Sequence, residues 1–110
     1  MCVRLAVAGA FHTDFMQPAV KSLENVLATV DIKTPRIPVV SNVDAKPHSD
    51  PAVIKKILMT QVTSPVQWET TTNNMLAGGF TKGLEIGPGK VISGILKRVD
   101  KNAKMTNVEV

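Results

Sequence analysis

Three times in this 110-residue chain a helix-starting signal carries a proline with it. Asp14-x-x-Gln17 reads as a capping box with Pro18 inside the first turn. Asp50-Pro51 is an N-cap followed by a pre-set first helical residue, and Ser64-Pro65-Val66-Gln67 is an S-x-x-Q box with proline at the first helical position. Two of the three signals stand behind a short apolar run. A chain punctuated in this way alternates extended and helical segments, and strands separated by helices favour a mainly parallel sheet.

The segments between the signals fill in the pattern. Residues 3–9 form an apolar run bounded by small residues, as a buried strand would. Met16, Ala19, Val20, Leu23, Val26, Leu27 and Val30 recur at helical steps and predict a helix that ends before Pro35. Residues 37–43 are rich in β-branched side chains and predict a second strand, with Pro38 near its start. Val53, Ile54, Ile57, Leu58 and Val62 give the next helix its stripe. A third helix, beginning directly at Pro65, carries Trp68, Met75 and Leu76 inward and stops at Gly78-Gly79.

Residues 84–86 predict a short strand, Gly87-Pro88-Gly89 a turn, and Val91, Ile92, Ile95, Leu96 and Val99 one face of a last helix before a final strand over 105–110. Residues 34–36 and 45–49 read as plain loops, and no linker or repeat marks a second domain. The expected fold class is α/β: a partial, mainly parallel sheet with covering helices.

Composition narrows the function. At 44% hydrophobic the chain has material for a modest core, and no run approaches the roughly 18 apolar residues of a membrane span. The start Met1-Cys2-Val3-Arg4 has no signal-peptide layout, so a soluble protein is expected. A single cysteine, Cys2, excludes an internal disulfide and has no Cys or His at metal-ligand spacing, so no metal site is expected. The net charge of +4 is small enough to be an ordinary solvated face, but its excess gathers late: Lys82, Lys90, Lys97, Arg98, Lys101 and Lys104 against Glu85, Asp100 and Glu109. That end suits an acidic partner. Nucleic acid is not expected, because the aromatics are not interleaved with the bases.

His12 is the foremost titratable candidate. If a strand ends at Phe11 and a helix starts near Asp14, its imidazole lies beyond the carboxyl end of the sheet, where ligands bind in α/β folds; a structural or surface histidine is the alternative. His48, after Pro47 in a polar loop, reads as exposed. Gly87-Pro88-Gly89-Lys90 fails the Walker A spacing and reads as a tight turn. A nucleophile needs an activating base and, in α/β enzymes, a G-x-S-x-G elbow; the chain has none, and Ser22, Ser49, Ser64 and Ser93 fall on helices, a loop or a cap.

Four motifs in order carry a family resemblance. Gly9-Ala10-Phe11-His12-Thr13 with Met16-x-Pro18-Ala19, Pro38-Val39-Val40-Ser41-Asn42-Val43-Asp44, Gln61-Val62-Thr63-Ser64-Pro65-Val66-Gln67-Trp68, and Glu85-Ile86-Gly87-Pro88-Gly89-Lys90-Val91 with Lys97-Arg98 together resemble the C-terminal part of malonyl-CoA:acyl carrier protein transacylase. The resemblance makes residues 1–110 the C-terminal portion of that family's catalytic domain, within its large subdomain.

It implies transfer of a malonyl group from malonyl-CoA to the phosphopantetheine thiol of acyl carrier protein, in fatty acid biosynthesis, through a serine acyl-enzyme and without a cofactor. His12 matches the general base, and Gln61 the residue whose main-chain carbonyl fixes the imidazole tautomer. Phe11 matches a bulky ring that leaves little room for an α-methyl branch, with a core aromatic as the alternative; Asn42 lines the cleft by analogy. Lys97 and Arg98 are the docking candidates for the carrier protein.

The family's serine elbow, carboxylate-binding arginine, oxyanion hole and small ferredoxin-like subdomain lie upstream and have no counterpart here, so the chain is expected to be inactive alone. Two alternatives stay open: an acyltransferase-domain fragment of a polyketide or fatty acid megasynthase, and a non-catalytic remnant that binds a carrier protein. The compartments implied are a bacterial-type cytoplasm or a chloroplast.

Overall fold

In the computed structural model, which describes all of residues 1–110, the chain divides into two compact units, Met1–Gln67 and Trp68–Val110. No helix is long and apolar enough to cross a membrane.

The first unit holds a short 3-10 turn (Asp14–Met16), α1 (Gln17–Thr29), β1 (Val39–Val40), β2 (Pro47–His48) and α2 (Pro51–Gln61). α2 starts as its sequence predicts. Asp50 is extended, its carboxylate accepts the Ala52 N–H at 2.8 Å, and Pro51 needs no donor of its own; such a cap contributes about 1 kcal/mol.

The first capping box does not form. A capping residue must be extended so that its side chain stands in front of the free N–H groups, but Asp14 is already inside the 3-10 turn and Thr13 takes the extended position (φ −134°, ψ 166°). The apolar stripe of α1 is only partly covered: Leu27 is buried while Val26 and Val30 face solvent.

Neither predicted strand of this unit survives at full length. Residues 3–9 form no strand, and Val3, Leu5 and Val7 are 68–75% exposed; an extended segment with no neighbour has no ladder to join. Of residues 37–43 only Val39 and Val40 pair, and their partners lie in the stretch expected to be a plain loop. Val39 faces His48 and Val40 faces Pro47 in an antiparallel hairpin. Closing so short a loop is entropically cheap, so the nearest extended residues supply the pairing.

The second unit is α3 (Trp68–Ala77), β3 (Lys82–Ile86), α4 (Val91–Val99) and β4 (Lys104–Val108). α3 begins at Trp68 rather than directly after Ser64, because residues 65–67 are not helical and the Gln67 N–H is taken by Asn42 O at 2.8 Å. It ends as predicted. Gly79, at φ +92°, lets the Phe80 N–H reach Met75 O and the Gly79 N–H reach Leu76 O, which satisfies the last carbonyls in a Schellman arrangement.

β3 and β4 pair in parallel from Lys82↔Lys104 to Ile86↔Val108, with α4 as the crossover. The parallel pairing and covering helix of an α/β fold are therefore present in this unit, and the first unit contributes only a local hairpin.

The modest core that composition promised is not there. Leu27, Ala45 and Leu96 are the buried apolar residues, whereas Leu84 and Ile86, on a strand, are 66% and 72% exposed.

Candidate functional site

The turn that carries His12 is built locally. The Thr13 hydroxyl donates to Ala10 O at 2.6 Å and the Met16 N–H to Thr13 O at 3.1 Å, so the chain reverses at residues 10–13 before α1 begins. His12 itself adopts φ 65°, the left-handed region that a non-glycine residue enters at a cost of about 1–3 kcal/mol unless its surroundings hold it there.

Two hydrogen bonds hold it, both to the end of α2. The His12 N–H donates to Val62 O at 2.9 Å, and ring Nδ1 lies 2.9 Å from Gln61 O. Carbonyls at a helix C-terminus have no intrahelical partner, which leaves these two free to accept. A carbonyl cannot donate, so Nδ1 must carry the hydrogen, and the lone pair is left on Nε2. The half-buried imidazole is thereby set in one tautomer with one nitrogen free to take a proton.

The other predicted site residues are placed as follows. Phe11, beside His12, is 56% exposed, with a ring that a Cβ at Gly9 would meet at 3.5 Å. Asn42 uses its main-chain carbonyl to accept the Gln67 N–H, and it lines, with Gln61 and His48, a cavity of about 80 Å³. Lys97 and Arg98 are exposed in the last turn of α4, where the helix dipole favours cations. Lys97, Lys101 and Lys104 also line an open cleft of about 310 Å³ with Ser93 and Met105. No three His, Cys, Asp or Glu side chains meet as metal ligands, and Cys2 is free and exposed.

His48 is a correction. Its side chain is only 19% exposed and stands 2.9 Å from Asp44 Oδ2, because the hairpin turns the imidazole onto the carboxylate. Burial pushes the Asp44 carboxyl up, but the Lys46 N–H and the His48 ring outweigh it and hold the group below the usual aspartate value.

Sequence reading also missed Glu85. Its side chain, 9% exposed, reaches the N-terminus of α4: Oε1 accepts the Ile92 N–H at 3.0 Å, and Oε2 accepts the Ser93 N–H at 2.9 Å together with the Ser93 hydroxyl. The Ser93 hydroxyl, against the opposing push of burial and with help from the Ser93 and Ile92 N–H groups, holds this carboxyl below the ordinary glutamate value. The signal was an acid alone in an apolar strand just ahead of a glycine turn into a helix.

No family model matches the chain. Individual proteins do. Malonyl CoA-acyl carrier protein transacylase of Bacillus subtilis is 44% identical over 102 residues, 93% of this chain and 32% of that protein. The chain is similar, in sequence and in fold, to part of a malonyl-CoA–acyl carrier protein transacylase.

The human mitochondrial transacylase is 43% identical over 103 residues, covering 90% of this chain and 26% of its own length. Among solved structures, an acyl carrier protein S-malonyltransferase from Vibrio cholerae superposes with a TM-score of 0.88 at 39% identity, over 96% of this chain and 35% of that one. A malonyl-transacylase solved in complex with its type II polyketide acyl-carrier protein matches with a TM-score of 0.88 at 36% identity over 94% of this chain and 34% of that chain. The chain thus spans about a third of the transacylases it matches.

Proposed function

We propose that residues 1–110 are the base-bearing, C-terminal portion of a malonyl-CoA:acyl carrier protein transacylase, in which His12 is the general base. The observation that carries this reading is His12 itself: its backbone is strained, its N–H is bound to Val62 O and its ring Nδ1 to Gln61 O, which leaves Nε2 free. A serine supplied from outside these residues attacks the malonyl thioester while Nε2 takes the serine proton. The departing coenzyme A thiolate then takes that proton from His12.

In the second half the phosphopantetheine thiol gives its proton to Nε2, attacks the acyl-serine, and the serine oxygen recovers the proton as it leaves. Gln61 O holds Nδ1–H through both halves, orienting the ring as the aspartate of a serine protease does but without a charge. All the chemistry is carried by side chains and the two thiol substrates, with no cofactor.

Phe11 then stands where it limits branching on the acyl group, and Asn42 lines the same cleft. The exposed Lys97 and Arg98, beside a lysine-lined cleft, suit an acidic carrier protein, a reading supported by the carrier-protein complex of the related transacylase. Reversing both charges should raise the carrier-protein KM with little change in kcat, and lessen its salt dependence; an unchanged KM would remove Lys97 and Arg98 from the interface. We infer an aqueous compartment of bacterial type, the bacterial cytoplasm or a chloroplast; the Bacillus subtilis relative supports the first of these, and the human relative is mitochondrial.

The test is malonyl transfer by this chain assembled with the remaining two thirds of a related transacylase, such as that of Bacillus subtilis. Assembly should restore activity, and the chain alone should show none. His12→Asn suits the left-handed backbone and has an amide N–H that can donate to Gln61 O, yet it has no basic nitrogen to take up a proton. It should lower kcat by about 10²–10⁴-fold. Full activity in that variant, or carrier-protein binding with no activity in any assembly, would overturn the assignment in favour of a carrier-binding remnant.

A further inference from the structure

The hairpin of the first unit is closed by more than its two short strands. The Ser41 N–H donates to Lys46 O at 3.0 Å, the Val43 N–H to Ser41 Oγ at 3.0 Å, and the Lys46 N–H to Asp44 Oδ1 at 3.0 Å. Across the turn, His48 Nε2 lies 2.9 Å from Asp44 Oδ2 and 3.2 Å from Oδ1. An ionised carboxylate only accepts, so Nε2 carries the hydrogen and donates it. Ala45, at φ 57°, sits in the left-handed region between Asp44 and Lys46, and a backbone strained in this way persists only where its surroundings fix it.

What the hairpin touches is the segment that holds His12. Asn42, in the turn, accepts the Gln67 N–H at 2.8 Å. Asn42, His48 and Gln61 share the walls of the 80 Å³ cavity, against Ile54, Ile57 and Leu58 of α2. The hairpin is therefore bonded to the segment 61–67 at Gln67 and shares a cavity wall with it at Gln61, and inside that segment lie the carbonyls of Gln61 and Val62 to which the His12 ring and N–H are bound.

The geometry points to Asp44 and His48 as a positioning pair for His12: their contact sets the hairpin, the hairpin sets residues 61–67, and the two carbonyls of that segment set the imidazole. The inference rests on His12 being the base and extends that reading to two residues that touch no reacting atom. Bonds in series of this kind transmit position because each member has one satisfied arrangement.

The experiment is ¹⁵N NMR of the imidazole nitrogens in the 110-residue chain itself, above the pH at which the rings titrate. Wild-type His12 should show a protonated Nδ1 and a lone-pair Nε2. His48→Ala should replace that signature with averaged tautomers, and His48→Gln, whose amide can still donate to Asp44, should restore it. A His12 signature unmoved by His48→Ala, or moved equally by both variants, overturns the proposal. If His48→Ala collapses the amide dispersion of α2, Asp44→Ala, which removes the acceptor and leaves the imidazole in place, decides by the same readout: averaged tautomers at His12 support the pair and an unmoved ring defeats it. Because no turnover is needed, failure here leaves His12 standing as the base, whereas full activity in His12→Asn would defeat the base and leave this result intact.

Discussion

Two helix ends in this chain are each satisfied by a residue outside the helix, and they are satisfied in opposite ways. At the C-terminal end of α2, two neutral carbonyls hold His12 through its N–H and one ring nitrogen, and the second ring nitrogen keeps its lone pair. At the N-terminal end of α4, the ionised Glu85 carboxylate accepts two backbone N–H groups and a hydroxyl, so both of its oxygens are engaged. The first arrangement fixes orientation while leaving capacity for a proton, and the second consumes its capacity in holding structure. A proton-transfer site calls for the former, because a base already saturated with donors has nothing left to offer.

Substitution at the two ends should therefore separate catalysis from stability. The largest effect belongs to His12→Asn in the assembled enzyme, a loss of about 10²–10⁴-fold in kcat with an unchanged melting temperature. A melting temperature that falls along with activity would mean that the imidazole is a structural cap like Glu85, and the contrast between the two ends would collapse.

Glu85→Gln should do the reverse. One carbonyl oxygen replaces two charged ones, so amide exchange at Ile92 and Ser93 should rise above that of the rest of α4, and the melting temperature should drop.

The acid response follows from the same carboxylate. Because its pKa is lowered in the folded chain, chiefly by the Ser93 hydroxyl and against the push of burial, the folded state binds this proton less readily than the unfolded state. The stabilisation is thus complete above the usual glutamate range and is lost as pH falls through the folded value. Urea midpoints of the second unit should decline on acidification below about pH 4, and Glu85→Gln should flatten that decline.

Much of this was legible in the sequence wherever the cause was local. Asp50-Pro51 starts α2 and Gly78-Gly79 stops α3, because caps and left-handed turns are decided by a few adjacent residues. The strand at residues 3–9 and most of that at 37–43 were not, because a strand is decided by what lies beside it and nothing in the chain pairs with them at that length. The Asp14 and Ser64 boxes failed because another residue took the position each needed: Thr13 the extended one ahead of Asp14, and the distant Asn42 carbonyl the Gln67 N–H. In the candidate site, His12 stood out by type and place, and its contact with Gln61 was implied by the resemblance alone. His48 was misjudged because its partner Asp44 lies across a hairpin that the sequence disguised as a loop. Glu85 escaped because no local rule pairs a strand acid with a helix that begins after a glycine turn.

The smallest expected effect is the sharpest check on the α2 end. Gln61 meets His12 only through its main-chain oxygen, so Gln61→Ala keeps the acceptor and, alanine being the best helix former, keeps the last turn of α2. Activity of the assembled enzyme should stay within about threefold of wild type, well inside the 10²-fold floor expected for loss of the base. The His12 Nδ1–H signal should also persist. A large loss of activity with that signal intact would show that the Gln61 side chain, which borders the 80 Å³ cavity, acts on the substrate itself; the carbonyl would then be only part of what this position contributes. A lost signal would mean that the carbonyl is held in place by its own side chain, so that the cavity lined also by Asn42 and His48, and not the helix end, positions the imidazole.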